Sequence, residues 1–547
     1  MDCPRQKVVQ RKSFLCYVKS CSSVQQNEVG GRDAEKNGTE PEVSNPFQSF
    51  KTEALKKIYE ISLKRTEETG DKAAQGILLC EIGNGYRRIG DFKQAIYYHE
   101  LHLKLSKEVG NRAGEGSAYG NLGNAYCSLG NFKKAKHYYE LCLRTAKEVR
   151  SIAMEVGACG NLGICYHSLG DFKKAIQYHE LQLNVSREDG NRVEEGNAYC
   201  GLGNGYLSIG DLQKAVHYHE LYLEVSKQMC NKEREASAYN NLGNDYHILG
   251  DFKKAINYHE LCLKIANELG DKAEQVHAYG NLGCDYQSLG DYKKAICYHE
   301  LHLEIAKQVG NRAEEGTAYG NLGKAYCNLG DFRKAIHFHE SCLQIAKEVG
   351  DRDVEGKAYG NLGNYYGSAG DFQKAIHYHE LHLEISKQVG SRVGEGTAYG
   401  SLGNIYQRVG DFKKSIHYHE LSLLIFKEVG NMVGEGNAFG NLGNDYQSLG
   451  DFKRAIHYHE LQLQIAKQIG DRAMEGTAYG NLGNSYQSLE DMKKAIHYHE
   501  LCLKVAKEVG DRAREGETCG NLGNDHFNLG DLDKSIHYHK LHLEIAK

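Results

Sequence analysis

From Asp71 onward, apolar residues recur in two alternating patterns. The first is Ala238, Leu242, Tyr246 and Leu249, stepped by four, four and three, which predicts one face of a helix. The second follows at once and has two stripes. One runs through Phe252, Ala255, Ile256, His259, Leu263 and Ala266, the other through Tyr258, Leu261, Ile265 and Leu269. A helix apolar on two sides packs on two sides. The expected neighbours are the helix before it and the helix after it.

The pattern repeats every 40 residues without insertion or deletion. Repeats begin at 71, 111, 151, 191, 231, 271, 311, 351, 391, 431, 471 and 511, the last running to Lys547. Positions are counted 1–40 within each repeat. Position 20 is Gly except at Glu490, and position 21 is Asp except at Asn131. A left-handed Gly that ends one helix, then an Asp that caps the next, predicts helix A, tight turn, helix B, tight turn. Turns this short make neighbouring helices antiparallel. Units that touch only their neighbours form an all-α solenoid of twelve repeats over 71–547. Residues 51–70 look like the second half of a repeat and are expected to form a capping helix. Residues 1–50 are polar, lie outside the period and are expected to be a disordered tail.

Composition narrows the functional classes. Only three Pro occur, at 4, 41 and 46, so no ring breaks a helix in the repeats. A net charge of −5 suggests no nucleic-acid partner and no acidic membrane surface. No apolar run approaches a membrane span, and the N-terminus lacks the apolar core of a secretory signal. The 17 Cys show no CxxC pair. Cys142, Cys262, Cys342 and Cys502 share position 32 and read as small packing residues rather than a disulfide framework. The expected compartment is reducing and cytoplasmic.

The residues at positions 12, 13, 16, 20, 22 and 25 are Leu242, Gly243, Tyr246, Gly250, Phe252 and Ala255 in the fifth repeat. They resemble the tetratricopeptide-repeat signature over 71–547. The 40-residue period and the GNLGNxYxxLGDFxxAI run resemble the Pins/LGN-type G-protein signalling modulators and related large arrays. The resemblance implies a right-handed superhelix with helices A lining a concave face. It does not extend to Arg at position 7, which such repeats use toward acidic partners. The chain leaves no room for that family's C-terminal Gα-binding motifs, so a Gα-regulating role is not expected.

Helix A carries residues that disfavour helices. Position 13 is Gly in all twelve repeats, from Gly83 to Gly523, although an interior helical Gly costs about 1 kcal/mol relative to Ala. The expected reason is close approach of helix B. Asn fills nine of twelve positions at both 11 and 14. With mostly Ser, Thr or Asn at position 7 and mostly Ser at 18, they form a mostly uncharged stripe along one helix face. An indifferent solvent face would favour Lys, Glu and Gln. Short amides offer donors and an acceptor to an extended peptide backbone, and the resemblance implies such use of concave-face asparagines. The candidate binding residues are Asn121, Asn161, Asn241, Asn281, Asn321, Asn361, Asn441, Asn481 and Asn521 at position 11. At position 14 they are Asn124, Asn204, Asn244, Lys324, Asn364, Asn404, Asn444, Asn484 and Asn524. The alternative is that these amides bond one another or the adjacent helix and serve stacking. Lys324, Lys357, His277 and Glu517 interrupt the stripe and are the candidates for side-chain selectivity.

The motif HYHE, as in His377-Tyr378-His379-Glu380, invites a metal. Histidines at i and i+2 point to different faces. Position 29 falls in the apolar stripe and position 27 on the outer face. The i, i+3 pairs His99/His102, His299/His302, His379/His382 and His539/His542 have chelating spacing, but no carboxylate or thiol joins all four. No phosphate loop, nucleophile elbow or His-Glu-x-x-His motif occurs. No catalytic residue, metal or cofactor is expected. The expected function is a non-catalytic scaffold or adaptor that holds an extended segment of a protein partner. The rival readings are a sensor array of a larger signalling protein, a histidine-based metal enzyme or metal buffer, and self-association through the terminal repeats.

Overall fold

The computed structural model describes residues 68–546 together with Leu63, Lys64 and Thr66. The expected disordered tail, and the expected capping helix before residue 63, lie outside the described residues. Leu63, Lys64, Thr66, Glu68 and Thr69 are helical. From Lys72 to Ala546 the described chain is 24 α-helices with no strand. They fall into two compact units that divide between Glu274 and Gln275. In each unit, a helix B packs on its own helix A and on the helix A that follows.

The eighth repeat shows how the sequence builds this. Helix A spans Arg352–Ser368 and helix B spans Phe372–Gln388. Between them Gly370 takes φ +84°, and the Asp371 carboxylate accepts a hydrogen bond from the Lys374 amide. The Gly–Asp pair thus ends one helix and caps the next. Three non-glycine residues are forced into the left-handed turn position: Arg150 (φ 54°), Cys230 (φ 52°) and Glu490 (φ 61°).

The Leu at position 12 is fully buried wherever it occurs between Leu122 and Leu522. Truncating one such Leu to Ala costs about 2–5 kcal/mol. Gly363 sits directly against the His379 ring, and all twelve position-13 glycines press in this way on the position-29 ring of their own helix B. The close approach read from the sequence is therefore real, and its object is one aromatic column. Tyr366 stacks on Tyr378 (5.4 Å, 6° between planes), with the Lys374 ammonium 4.8 Å from the Tyr366 centroid. Glu355, buried at 3% exposure, is tolerated because Arg352 Nη1 donates to it at 2.6 Å.

Position 19 departs from the expected pattern. Leu249 is 42% exposed, and Leu289, Leu329 and Leu449 are similarly open. Its place in the last turn, beside the left-handed Gly, carries the side chain beyond the flanking helices.

Candidate binding surface

The open face of helix A is the stripe at positions 7, 11, 14 and 18, flanked by buried columns at 8, 9, 12 and 13. In the unit ending at Glu274, Asn121, Asn124, Asn161 and Asn244 are half-buried, whereas Asn204 and Asn241 are buried. In the unit beginning at Gln275, Lys324, Asn364, Asn404 and Asn524 are exposed. Asn281, Asn321, Asn361, Asn441, Asn444, Asn481, Asn484 and Asn521 are half-buried there. Apart from the buried Asn204 and Asn241, these stripe positions are half-buried or exposed in both units.

The amides divide by their partners. One set is used internally. The Tyr139 hydroxyl donates to Asn124 Oδ1 at 2.7 Å. Asn204, Asn404 and Asn484 each place Oδ1 3.1–3.2 Å from Nε2 of the position-29 histidine, His219, His419 and His499. Position 11 reaches back to the preceding repeat. Asn161 Nδ2 donates to Asn124 Oδ1 at 3.5 Å, and Asn521 Nδ2 to Asn484 Oδ1 at 3.3 Å. Asn121 and Asn241 donate to the thiols of Cys80 and Cys200, at 3.2 and 3.5 Å, and Asn321 lies 4.0 Å from the Cys284 sulfur. The stacking role is therefore present for these residues. The second set, Asn361, Asn364, Asn441, Asn444, Asn481 and Asn524, holds side-chain amides with no hydrogen bond to another described residue.

The histidine column has a partner that sequence reasoning missed. His219 Nδ1 lies 2.6 Å from Asp245 Oδ2 of the next helix A, and the pairs His419–Asp445 and His499–Asp525 match it. Asp445 also accepts from the Ser415 hydroxyl at 2.7 Å. Each such ring is clamped between a carboxylate of the following repeat and an amide of its own. Asp245, Asp445 and Asp525 are fully buried. The signal was an acid in position 15, a column otherwise filled by Gly, Ala, Ser, Cys, Ile and Tyr. Where position 15 is not acidic, the ring loses this clamp. His99, His299, His379 and His459 are buried with neither ring nitrogen hydrogen-bonded. Burial lowers them to about 4, 3, 4 and 4 respectively. They are neutral core residues, as position 29 was read. The Lys324 ammonium adds to burial in depressing His299 and His339.

The chelating pairs are placed by packing. His99 and His102 are both buried, as are His299 and His302. His302 Nε2 meets Glu314 at 3.1 Å. Among the described residues no three His, Cys, Asp or Glu side chains form a metal-holding group. No helix among them is long and apolar enough to cross a membrane.

Three solved structures are similar to parts of this chain. The quorum sensor NprR from B. thuringiensis is 18% identical, with 66% of this chain and 100% of that chain covered and a TM-score of 0.46. A STAND protein with a tetratricopeptide repeat sensor from Pyrococcus horikoshii is 18% identical, over 70% of this chain and 54% of that one, with a TM-score of 0.45. BtubC from P. vanneervenii is 24% identical, over 40% and 92%, with a TM-score of 0.37. No curated protein matches the sequence. The tetratricopeptide-repeat profile matches residues 73–148, 154–228, 234–308, 314–388, 394–468 and 474–547, and on that match this chain belongs to the tetratricopeptide-repeat family.

Proposed function

We propose that this protein is a non-catalytic interaction scaffold that holds an extended segment of a partner protein against the open stripe of its helices A. The observation that supports this is the second set of amides. Asn361, Asn364, Asn441, Asn444, Asn481 and Asn524 keep donors and acceptors facing solvent, on a face nearly free of charge and long side chains. Their helical cost is not offset by an internal bond. An extended backbone, whose own amides need partners once desolvated, is the chemical complement. Selectivity falls to Lys324, Lys357, His277 and Glu517, which interrupt the stripe. The period of 40 fits the Pins/LGN-type arrays, and the free thiols among the described cysteines fit a reducing, cytoplasmic setting.

The test is affinity capture from cell lysate by the full chain, read by mass spectrometry. The bait is compared with a variant in which those six asparagines are Ala, after circular dichroism shows equal helicity. Partners lost only from the variant support the scaffold reading. Identical partner sets would reject the open stripe as the binding surface.

A further inference from the structure

Position 17 of one helix A meets position 15 of the next helix A. Gln487 Nε2 donates to Asp525 Oδ1 at 2.7 Å, and the Ser485 hydroxyl donates to Gln447 Oε1 at 3.2 Å. In repeats 2 and 3 both of these positions are cysteine, Cys127 and Cys165. Cys127 closes helix A of repeat 2 (Arg112–Ser128), and Cys165 lies in helix A of repeat 3 (Ile152–Ser168). Both side chains pack in one cluster that holds Tyr139, Leu162 and Tyr166.

The two thiols are not equivalent. Cys165 is fully buried, while Cys127 is half-buried at the edge of the open stripe. The neighbouring Cys165 thiol draws the Cys127 thiol below its ordinary range, and the Cys127 thiol together with burial pushes Cys165 up. A reachable thiol of lowered pKa beside a second thiol is the arrangement of a redox pair with a resolving cysteine.

We propose that Cys127 and Cys165 form a redox-active dithiol, which a hydroperoxide converts to a disulfide that ties helix A of repeat 2 to helix A of repeat 3. The Cys127 thiolate attacks the peroxide oxygen, the O–O bond breaks, and water or an alcohol leaves. Cys127 is then a sulfenic acid. The Cys165 sulfur attacks the Cys127 sulfur, the S–O bond breaks, and water leaves with the Cys165 proton as the S–S bond forms. The two thiols give up two electrons and two protons, and the hydroperoxide takes up both. The bridge encloses helix B of repeat 2 (Phe132–Glu148) and lies beside Asn124, which accepts from Tyr139 and Asn161. It therefore fixes the open stripe at this junction. The chemistry does not depend on whether that stripe binds a partner.

The test treats the full-length reduced protein with a few equivalents of hydrogen peroxide, alkylates it, and maps non-reduced peptides by mass spectrometry. The expected product is a Cys127–Cys165 linked peptide that dithiothreitol removes, with slower amide exchange in Arg112–Ser128 and Ile152–Ser168. In Cys165→Ala the linked peptide is expected to vanish and dimedone to label Cys127. Two results would overturn the proposal. One is wild-type Cys127 oxidised to the sulfinic acid without a link to Cys165. The other is both thiols left reduced while the exposed Cys230 and Cys297 are oxidised. The wild-type map decides alone if the variant does not fold.

Discussion

A Cβ added to Gly363 would lie 2.6 Å from Cε1 of the buried His379 ring. Real Cβ atoms essentially never approach another heavy atom within 3.0 Å, and the ring cannot retreat because it is enclosed on all sides. Gly363→Ala is therefore expected to destabilise repeat 8 despite its better helix propensity, by about 1–3 kcal/mol of overpacking. Gly363→Ala with His379→Ala should recover part of the loss, because the ring that clashes is gone. Hydrogen exchange resolved by repeat is the measurement, since a solenoid need not unfold in one step. Equal protection in Gly363→Ala and wild type would contradict the packing account.

The buried carboxylate at position 15 makes a second expectation. Asp445→Ala removes the acceptor of both His419 Nδ1 and the Ser415 hydroxyl. Leaving a buried hydrogen-bond donor without its acceptor costs about 1–3 kcal/mol. The expected result is a clear drop in the denaturation midpoint, localised to repeats 9 and 10. A midpoint within error of wild type would show that the pair contributes nothing to that junction.

The unclamped histidines set the response to acid. His299, His379 and His459 are held near 3, 4 and 4 by burial, below the ordinary value of about 6.5 in an unfolded chain. As pH falls, the unfolded chain takes up protons first. Their contribution is thus complete above about pH 6.5 and is lost as pH drops toward 4. Each pKa unit corresponds to about 1.4 kcal/mol. Thermal melts at pH 7 and pH 4.5 should show a large loss of stability, and His379→Leu should lose less than wild type across the same interval. A melting temperature independent of pH over this range would refute the assignment.

Glu490 stands where other repeats place Gly, and its φ is +61°. A left-handed residue with a Cβ carries about 1–2 kcal/mol of strain. Glu490→Gly is expected to raise stability by about 1 kcal/mol after the entropy of glycine in the unfolded chain is counted. Urea titration reads this as a higher midpoint at unchanged slope. A lower midpoint would mean that the turn is unstrained.

Helix ends and the Gly column were legible in the sequence because each is fixed by local chemistry. Gly370 and Asp371 announce the turn wherever they recur, and Gly363 announces a close approach. Position 29 was legible as core because its stripe is apolar. Two features were not. Leu249 reads as a core residue by spacing alone, and only the turn geometry shows that it overhangs the flanking helices. Asp445 reads as one more polar residue of an asparagine-rich helix, because its partner His419 lies 26 residues earlier in the preceding repeat. The same limit applies to the amides. Asn404 and Asn444 are identical by sequence position, yet Asn404 faces the His419 ring while Asn444 makes no side-chain bond to another described residue. What separates them is the acid or its absence one repeat further on: His419 is clamped by Asp445, whereas position 15 after His459 is Ser485.

In the proposed function, free side-chain amides hold the backbone of an extended partner segment. This is tested most directly by isothermal titration of the captured segment, as a synthetic peptide, before and after N-methylation of alternate backbone amides. N-methylation removes backbone donors and leaves every side chain in place. At least a tenfold loss of affinity, about 1.4 kcal/mol, is expected for one of the two alternating methylation sets, with a similar loss for the unmodified peptide on the six-asparagine variant. Undiminished affinity of both methylated peptides for the wild-type protein would contradict it.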